Sequence, residues 1–321
     1  MPVENDFLSI IGHTPLIRLS RLFAGDRGIK VYGKLELLNP NGSAKDRSAS
    51  RIIETAWKDG LIGPGSVIVE SSSGNMAISL AAICSYLGMR FISVIDPKTT
   101  EQNIRIMKAY GAEIELVSEP DEKTGEFLPA RLNRVQQLLG TIPKSFWPNQ
   151  YANENNYLSH SEGTMREIVE ELGQVHLVVG GVSTCGTMLG CASYVKEHAL
   201  ATKIAAVDAA GSVIFGKEKG MRLFPGLGAG IVPPFGQTPF MDYAFNVTDR
   251  DMVIGCRELV KKESILAGPS SGAVVSALKL LEDELPDGAV CAIILHDRGE
   301  RYMDTVYNDE WVEARFGKNI L

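Results

Sequence analysis

The sequence predicts an α/β protein made of two three-layer domains with mostly parallel sheets, and three observations predict it. Strand-like and helix-like hydrophobic periods alternate along the chain, as they do in βαβ units whose helices cover both faces of a parallel sheet. At 321 residues the chain is about twice an ordinary domain of ~100–200, so it carries one large or two medium cores. Apolar residues make up 45% and charged residues 22%, enough to bury such cores without metal or disulfide staples.

Taken in order, residues 31–36 read as a strand and Lys45–Lys58 as a helix. The β-branched run 66–70 is a strand, followed by a helix over 75–87, a strand over 91–95, a helix over 101–110 and a strand over 113–117. A helix is expected over 128–139. Pro143, Pro148 and several asparagines then break the periodicity across 141–156, which places a domain boundary near residue 150. Domain 1–150 is followed by domain 151–321, where strands are expected over 176–182, 203–209 and 289–296 and helices over 187–198, 249–262 and 271–284.

Charge and composition narrow the function. The net charge is −7, with no Lys/Arg cluster against it, which excludes nucleic acid and anionic membrane as the main partner and leaves small molecules. Cys84, Cys185, Cys191, Cys256 and Cys291 form no C-x-x-C, and the first ten residues lack a basic head and apolar core; reduced thiols in the cytoplasm are the expectation. His13, His160, His176, His198 and His296 fall at no H-x-x-x-H spacing, so no metal site is expected.

Ligands of open parallel sheets sit beyond the carboxyl ends of strands. Three turns there are rich in glycine and hydroxyls: 70–75, 180–187 and 268–272. Two other segments imitate nucleotide motifs. Gly211 to Lys217 approaches a P-loop, but Glu218 stands where a hydroxyl should hold magnesium, and a carboxylate there repels phosphate. Gly226-Leu-Gly228-Ala-Gly230 lacks the strand before it and the helix after it that a dinucleotide fingerprint requires.

The most informative segment is Asn39-Pro40-Asn41-Gly42-Ser43-Ala44-Lys45-Asp46-Arg47. It presents a lysine in the first turn of a helix, where the helix dipole and Arg47 both oppose positive charge. Both effects leave more neutral, nucleophilic amine, so Lys45 can form an imine. A lone lysine would more often be a solvated helix face; what singles this one out is its company.

That company is similar to the fold type II pyridoxal-phosphate enzymes, specifically the cysteine synthase group, whose fold is that of the tryptophan synthase β chain. The landmarks run in the same order: Ile11-Gly12-His13-Thr14-Pro15-Leu16-Ile17-Arg18-Leu19, then Lys34-Leu35-Glu36, the lysine segment, Ser73-Gly74-Asn75, the loop 183–187 and Gly268-Pro269-Ser270-Ser271-Gly272. The resemblance spans essentially the whole chain. It implies pyridoxal 5'-phosphate as cofactor, a homodimer, and a first stretch of about 40 residues that crosses to the other domain.

Roles follow by the same resemblance. Lys45 is the lysine that bonds the cofactor aldehyde and then acts as general base. Ser183, Thr184, Cys185, Gly186 and Thr187 form the phosphate loop, whose main-chain N–H groups and hydroxyls suit a dianion; an ordinary Ser/Thr helix cap is the plainer reading. Cys185 stands where the group more often has Gly or Thr. Asn75 bonds the cofactor's ring oxygen, while Ser72, Ser73, Gly74 and Asn75, with Gln150, take the substrate carboxylate. Ser72 replaces the usual threonine and Ala77 the usual glycine. Ser270 faces the pyridine nitrogen, where a hydroxyl favours loss of a β-substituent over transamination; capping of the next helix by Ser270 or Ser271 is the alternative role.

The implied reaction is β-replacement on an O-activated serine through an aminoacrylate. Segments 149–154, 208–216 and 296–311 resemble a subfamily of siderophore biosynthesis that takes O-phospho-L-serine and adds the amine of L-glutamate. Arg131, in the helix over 128–139, matches that subfamily's phosphoserine-reading arginine, as a guanidinium suits a phosphate leaving group. Gly226 to Gly230 is as close to the cysteine synthases, so a sulfhydrylase using O-acetylserine or O-phosphoserine with a sulfur nucleophile is the alternative. A catalytically silent homologue is a third possibility, weakened by the presence of Lys45.

Overall fold

The computed structural model describes residues 6–320. In chain order, β1 (Leu16–Arg18) and β2 (Lys30–Lys34) form an antiparallel pair, and α1 (Lys45–Lys58) follows. Next come β3 (Val67–Ser71), α2 (Asn75–Tyr86), β4 (Arg90–Ile95), α3 (Glu101–Ala109), β5 (Glu113–Leu116), α4 (Phe127–Thr141) and β6 (Ser145–Phe146). A helical run then comprises α5 (Asn155–Ser159), a π turn (His160–Met165) and α6 (Arg166–Leu172). The remainder is β7 (Leu177–Gly181), α7 (Gly186–Glu197), β8 (Lys203–Ala209), β9 (Tyr243–Val247), α8 (Asp249–Glu258), α9 (Pro269–Leu281), β10 (Val290–Ile294) and α10 (Asp309–Phe316).

Two compact units divide the chain. The first holds the described residues to Ile11 and Lys45–Asn156; the second holds Gly12–Ala44 and Tyr157 onward. The first unit's sheet runs β5-β4-β3-β6, parallel throughout. The second's runs β1-β2-β10-β7-β8-β9, parallel except for the β1–β2 pair.

The period-two side-chain alternation builds the layers directly. In the second unit, Leu177, Val179, Ala205, Val207, Cys291 and Ile293 enter one core, while Val178, Ile204, Ala206, Ala292 and Ile294 enter the core on the opposite face. In the first unit, Ile68, Phe91 and Ile95 face one way, and Val67, Val69, Ile92 and Val94 the other. Each sheet is therefore buried on both faces, which is why its strands read as unbroken apolar runs. Glycines let the covering helices approach closely: a Cβ on Gly255 would lie 2.1 Å from the Gly272 carbonyl oxygen, so α8 crosses α9 backbone against backbone.

Several elements differ from the sequence expectation, each for a local reason. The helical run from Asn155 to Leu172 was not expected, because its π turn resets the 3.6-residue period. β9 is short, lies largely half-exposed at the sheet edge, and its apolar residues are interrupted by Asn246. α9 begins two residues before the expected 271, since Pro269 suits the first helical position and Gly268 caps it. The helix expected over 249–262 continues beyond α8 as a π turn, Leu259–Glu263. The first turn of α8 is held by a capping box in which Thr248 and Asp251 bond each other's main-chain N–H groups. No helix among the described residues is long and apolar enough to cross a membrane.

Candidate active site

In the first unit the site residues gather at the carboxyl end of β3. Ser71, Ser72, Ser73 and Gly74 lead from that strand into α2, whose first residue is Asn75. Gly74, at the N-cap, contributes no side chain, and the first turn of α2 holds no acidic residue. Main-chain N–H groups at that helix start therefore suit an anion such as a carboxylate. The loop is tightly specified: Ser72 Oγ accepts the Ala77 N–H at 3.2 Å, the Ser72 carbonyl accepts Ser93 Oγ at 2.7 Å, and Asn103 Nδ2 donates to the Ser73 carbonyl at 3.1 Å.

Gln150 is brought to the same place. Its side-chain amide donates to the Ser71 carbonyl at 3.4 Å, and its own carbonyl accepts Asn156 Nδ2 at 2.6 Å. The organiser is Glu70, a fully buried carboxylate that accepts the N–H groups of Gln150 at 3.1 Å and Ser71 at 2.8 Å and the Trp147 indole N–H at 3.0 Å. Burial pushes the Glu70 carboxyl up to about 7, against the opposing pull of those donors and of the Arg131 charge.

Arg131 lies on α4, with Nε 3.4 Å from Asp96 Oδ2 just past the end of β4; the two side chains are only 11% and 9% exposed. Its charge also acts on Tyr151, whose phenol burial pushes up to about 12. Arg131 is thus a nearly buried cation at the carboxyl edge of this sheet, not a solvated helix face. Lys45 opens α1 and is half-buried. The next residue, Asp46, is fully buried and accepts the Ser79 hydroxyl, pinning the start of α1 to the first turns of α2.

In the second unit the loop after β7 runs into α7. Cys185 caps that helix in the left-handed conformation, φ 68°, with no side-chain cap bond, and no acidic residue lies in the first turn. The helix starts at Gly186, one residue before the expected 187. Thr184, Cys185 and Thr187 are buried. Thr187 Oγ1 lies 3.2 Å from His160 Nε2, and the Gly186 N–H meets Thr184 Oγ1 at 3.4 Å. Hydroxyls and helix-start N–H groups without a carboxylate make a neutral donor set, which fits a phosphate dianion.

The glycine stretch that imitates a dinucleotide motif braces this loop. The Gly228 N–H donates to the Val182 carbonyl at 2.7 Å, and the Gly228 carbonyl accepts Ser183 Oγ at 3.1 Å. The P-loop imitation at 211–218 is turn and bend with no helix after it. Ser270 is the second residue of α9 and half-buried. Neither serine caps that helix. Gly268 does so without a side-chain bond, and Ser271 Oγ instead accepts the His296 N–H at 3.0 Å.

Sequence reasoning missed Glu70, Trp147, Gly228 and His296 as members of the site. Two of them carried a signal: Glu70 is a carboxylate that follows the apolar run Val67-Ile68-Val69 of its strand, and His296 follows the last strand of its sheet in chain order, at the carboxyl edge where ligands sit. Among the described residues no group of three His, Cys, Asp or Glu side chains is placed to hold a metal ion.

A family model described as pyridoxal-phosphate dependent enzyme matches residues 8–297. N-(2-amino-2-carboxyethyl)-L-glutamate synthase of Ralstonia nicotianae is 44% identical over 311 residues, 97% of this chain and 91% of that protein. Among solved structures, the O-acetylserine dependent cystathionine beta-synthase from Helicobacter pylori matches with a TM-score of 0.88 at 30% identity, over 96% of this chain and 100% of that one. An O-ureido-L-serine synthase matches with a TM-score of 0.85 at 29% identity over 95% of both chains. A hydrogen sulfide-producing enzyme from Fusobacterium nucleatum matches with a TM-score of 0.85 at 33% identity, over 94% of this chain and 100% of that one.

Proposed function

The chain belongs to the pyridoxal-phosphate dependent enzymes, and from that premise we propose that it performs β-replacement on O-phospho-L-serine, adding L-glutamate to give N-(2-amino-2-carboxyethyl)-L-glutamate. The observation that carries this reading is the whole-length likeness to the Ralstonia nicotianae synthase of that name. The nearly buried guanidinium of Arg131 beside the substrate loop supports the phosphate leaving group.

When bound, pyridoxal phosphate supplies an electron sink for negative charge developing at the substrate α-carbon. The residues of this chain do the rest. Ser183, Thr184, Cys185, Gly186 and Thr187 bind the cofactor phosphate, Ser270 serves its ring nitrogen, and Asn75 its ring oxygen. Ser72, Ser73, Gly74 and Gln150 orient the substrate carboxylate. Lys45 Nζ anchors the cofactor, takes the α-proton and later returns it, a general-base role worth about 10²–10⁴ in rate. Arg131 stabilises the departing phosphate. Ser270 being a hydroxyl leaves the ring nitrogen without a strong charge partner, which favours elimination of the β-group over transamination. In this reading the protein is a cytoplasmic homodimer, acts on free amino acids and serves siderophore biosynthesis.

A sulfhydrylase is the second reading. The cysteine synthase-like run Gly226 to Gly230, which braces the phosphate loop, favours it. The test is to give the purified, cofactor-loaded protein O-phospho-L-serine or O-acetyl-L-serine with glutamate or sulfide, and to measure the leaving group and the product mass. Phosphate release coupled to the glutamate adduct is the expected result. Cysteine formed in its place supports the sulfhydrylase, and release from neither donor overturns both readings.

A further inference from the structure

The histidine after the last strand stands at a junction that the proposed function does not use. β10 pairs in parallel with β7, so the two strands end side by side. At that end the His296 ring reaches across to β7, where Nε2 accepts the N–H of Gly181, the last residue of that strand, at 2.9 Å. The His296 main-chain N–H donates to Ser271 Oγ at 3.0 Å, in the first turn of the helix that carries Ser270. Its carbonyl accepts the N–H of Ala44 at 2.9 Å, and Ala44 directly precedes Lys45. One half-buried residue thus bonds the root of the phosphate loop, the Ser270 helix and the approach to Lys45.

We infer that His296 is a positioning residue of the cofactor site, fixing the root of the phosphate loop through a neutral imidazole. The inference rests on the cofactor roles proposed above for Lys45, the loop 183–187 and Ser270. A main-chain N–H can only donate, so Nε2 must be the bare nitrogen and Nδ1 the protonated one. A proton on Nε2 would set two donors against each other and release Gly181. The position is specific to the ring, because the two main-chain bonds survive any substitution that keeps a peptide N–H. Of these three bonds, the link to Gly181 is the one that depends on the side chain.

The experiment compares His296→Phe and His296→Gln with wild type, each stripped of cofactor and titrated with pyridoxal phosphate. The ³¹P spectrum of each loaded protein is recorded, and the wild type is also labelled with ¹⁵N-histidine. Glutamine offers an oxygen where Nε2 stood; phenylalanine fills the space and offers nothing, leaving the Gly181 N–H unpaired. The expected result is about tenfold weaker cofactor binding in His296→Phe with a moved ³¹P resonance, as loss of one buried hydrogen bond should give. Recovery of both in His296→Gln is expected, with the Nδ1–H tautomer in the wild-type ¹⁵N spectrum. Wild-type affinity in His296→Phe, or no recovery in His296→Gln, overturns the inference. The Nε2–H tautomer in wild type overturns it even if a variant fails to fold. Wild type that binds no pyridoxal phosphate overturns the cofactor-site reading itself, a result distinguishable from the others.

Discussion

The Glu70 carboxylate accepts the main-chain N–H of Gln150 at 3.1 Å, so a fully buried acid at the end of one strand sets the place of the loop that follows another. The same carboxylate takes the Trp147 indole at 3.0 Å, and through these bonds the end of β3 is tied to the Gln150 segment. Placing Gln150 by way of a carboxylate has a cost, since burial opposes the charge.

That cost makes a pH prediction. Unfolded, the Glu70 carboxyl ionises near its ordinary 4.5; folded, burial holds it up to about 7. The folded state thus keeps a proton that the unfolded state loses between these values. The Glu70 contribution to stability is fully present below pH 4.5 and declines as pH rises towards 7. The loss is about 3 kcal/mol. Glu70→Gln removes the titration. The difference in unfolding free energy between wild type and variant, measured by denaturant titration across this range, should fall with rising pH; a flat difference contradicts the assignment.

Arg131 should discriminate between amino-acid donors. Lysine keeps the charge but loses the planar fork that matches a phosphate, and it leaves Asp96 a cationic partner, so the fold is spared. Arg131→Lys is expected to raise KM for O-phospho-L-serine on the order of tenfold or more. Turnover of O-acetyl-L-serine should be almost unaffected. Steady-state kinetics with both donors check this, and equal losses on the two would show that Arg131 does not read phosphate.

Cys185 pays for its left-handed backbone, φ 68°, with strain that glycine would not feel. Such a conformation costs a non-glycine residue about 1–2 kcal/mol, while the buried thiol returns about 1 kcal/mol of packing. Cys185→Gly should therefore lie within about 1 kcal/mol of wild type, whereas the β-branched Cys185→Val should lose about 2 kcal/mol or more. Thermal unfolding of the cofactor-free proteins measures both. Equal stability of the valine and glycine variants would be the contrary result.

The architecture was legible in the sequence because burial on both sheet faces writes apolar strands, such as Val67-Ile68-Val69, between amphipathic helices. Glycine and hydroxyl turns at the strand ends marked the two loops proposed to take phosphate and carboxylate, and in both the N-cap residue itself, Gly74 or Cys185, makes no side-chain cap bond. The run from Asn155 to Leu172 was not legible, since a π turn carries no fixed period. Nor was the assignment of helix capping to Ser270 or Ser271, because Pro269 and Gly268 already satisfy the first turn. Glu70 and His296 were hidden for a different reason. Their partners lie far off in the chain, and only strands brought side by side place Gly181 against His296 or Gln150 against Glu70.

Lys45 carries the proposed chemistry more than any other residue. Its side chain opens α1, whereas Lys34, the other lysine within the matched motifs, is buried in an ion pair with Glu167 at 2.6 Å. The most direct measurement is borohydride reduction of the cofactor-loaded protein followed by peptide mass spectrometry. Reduced cofactor is expected on the peptide containing Lys45, and none in Lys45→Ala, which should also lose turnover by at least about 10²-fold. Cofactor fixed to a different lysine, or full turnover in Lys45→Ala, would contradict the proposed chemistry.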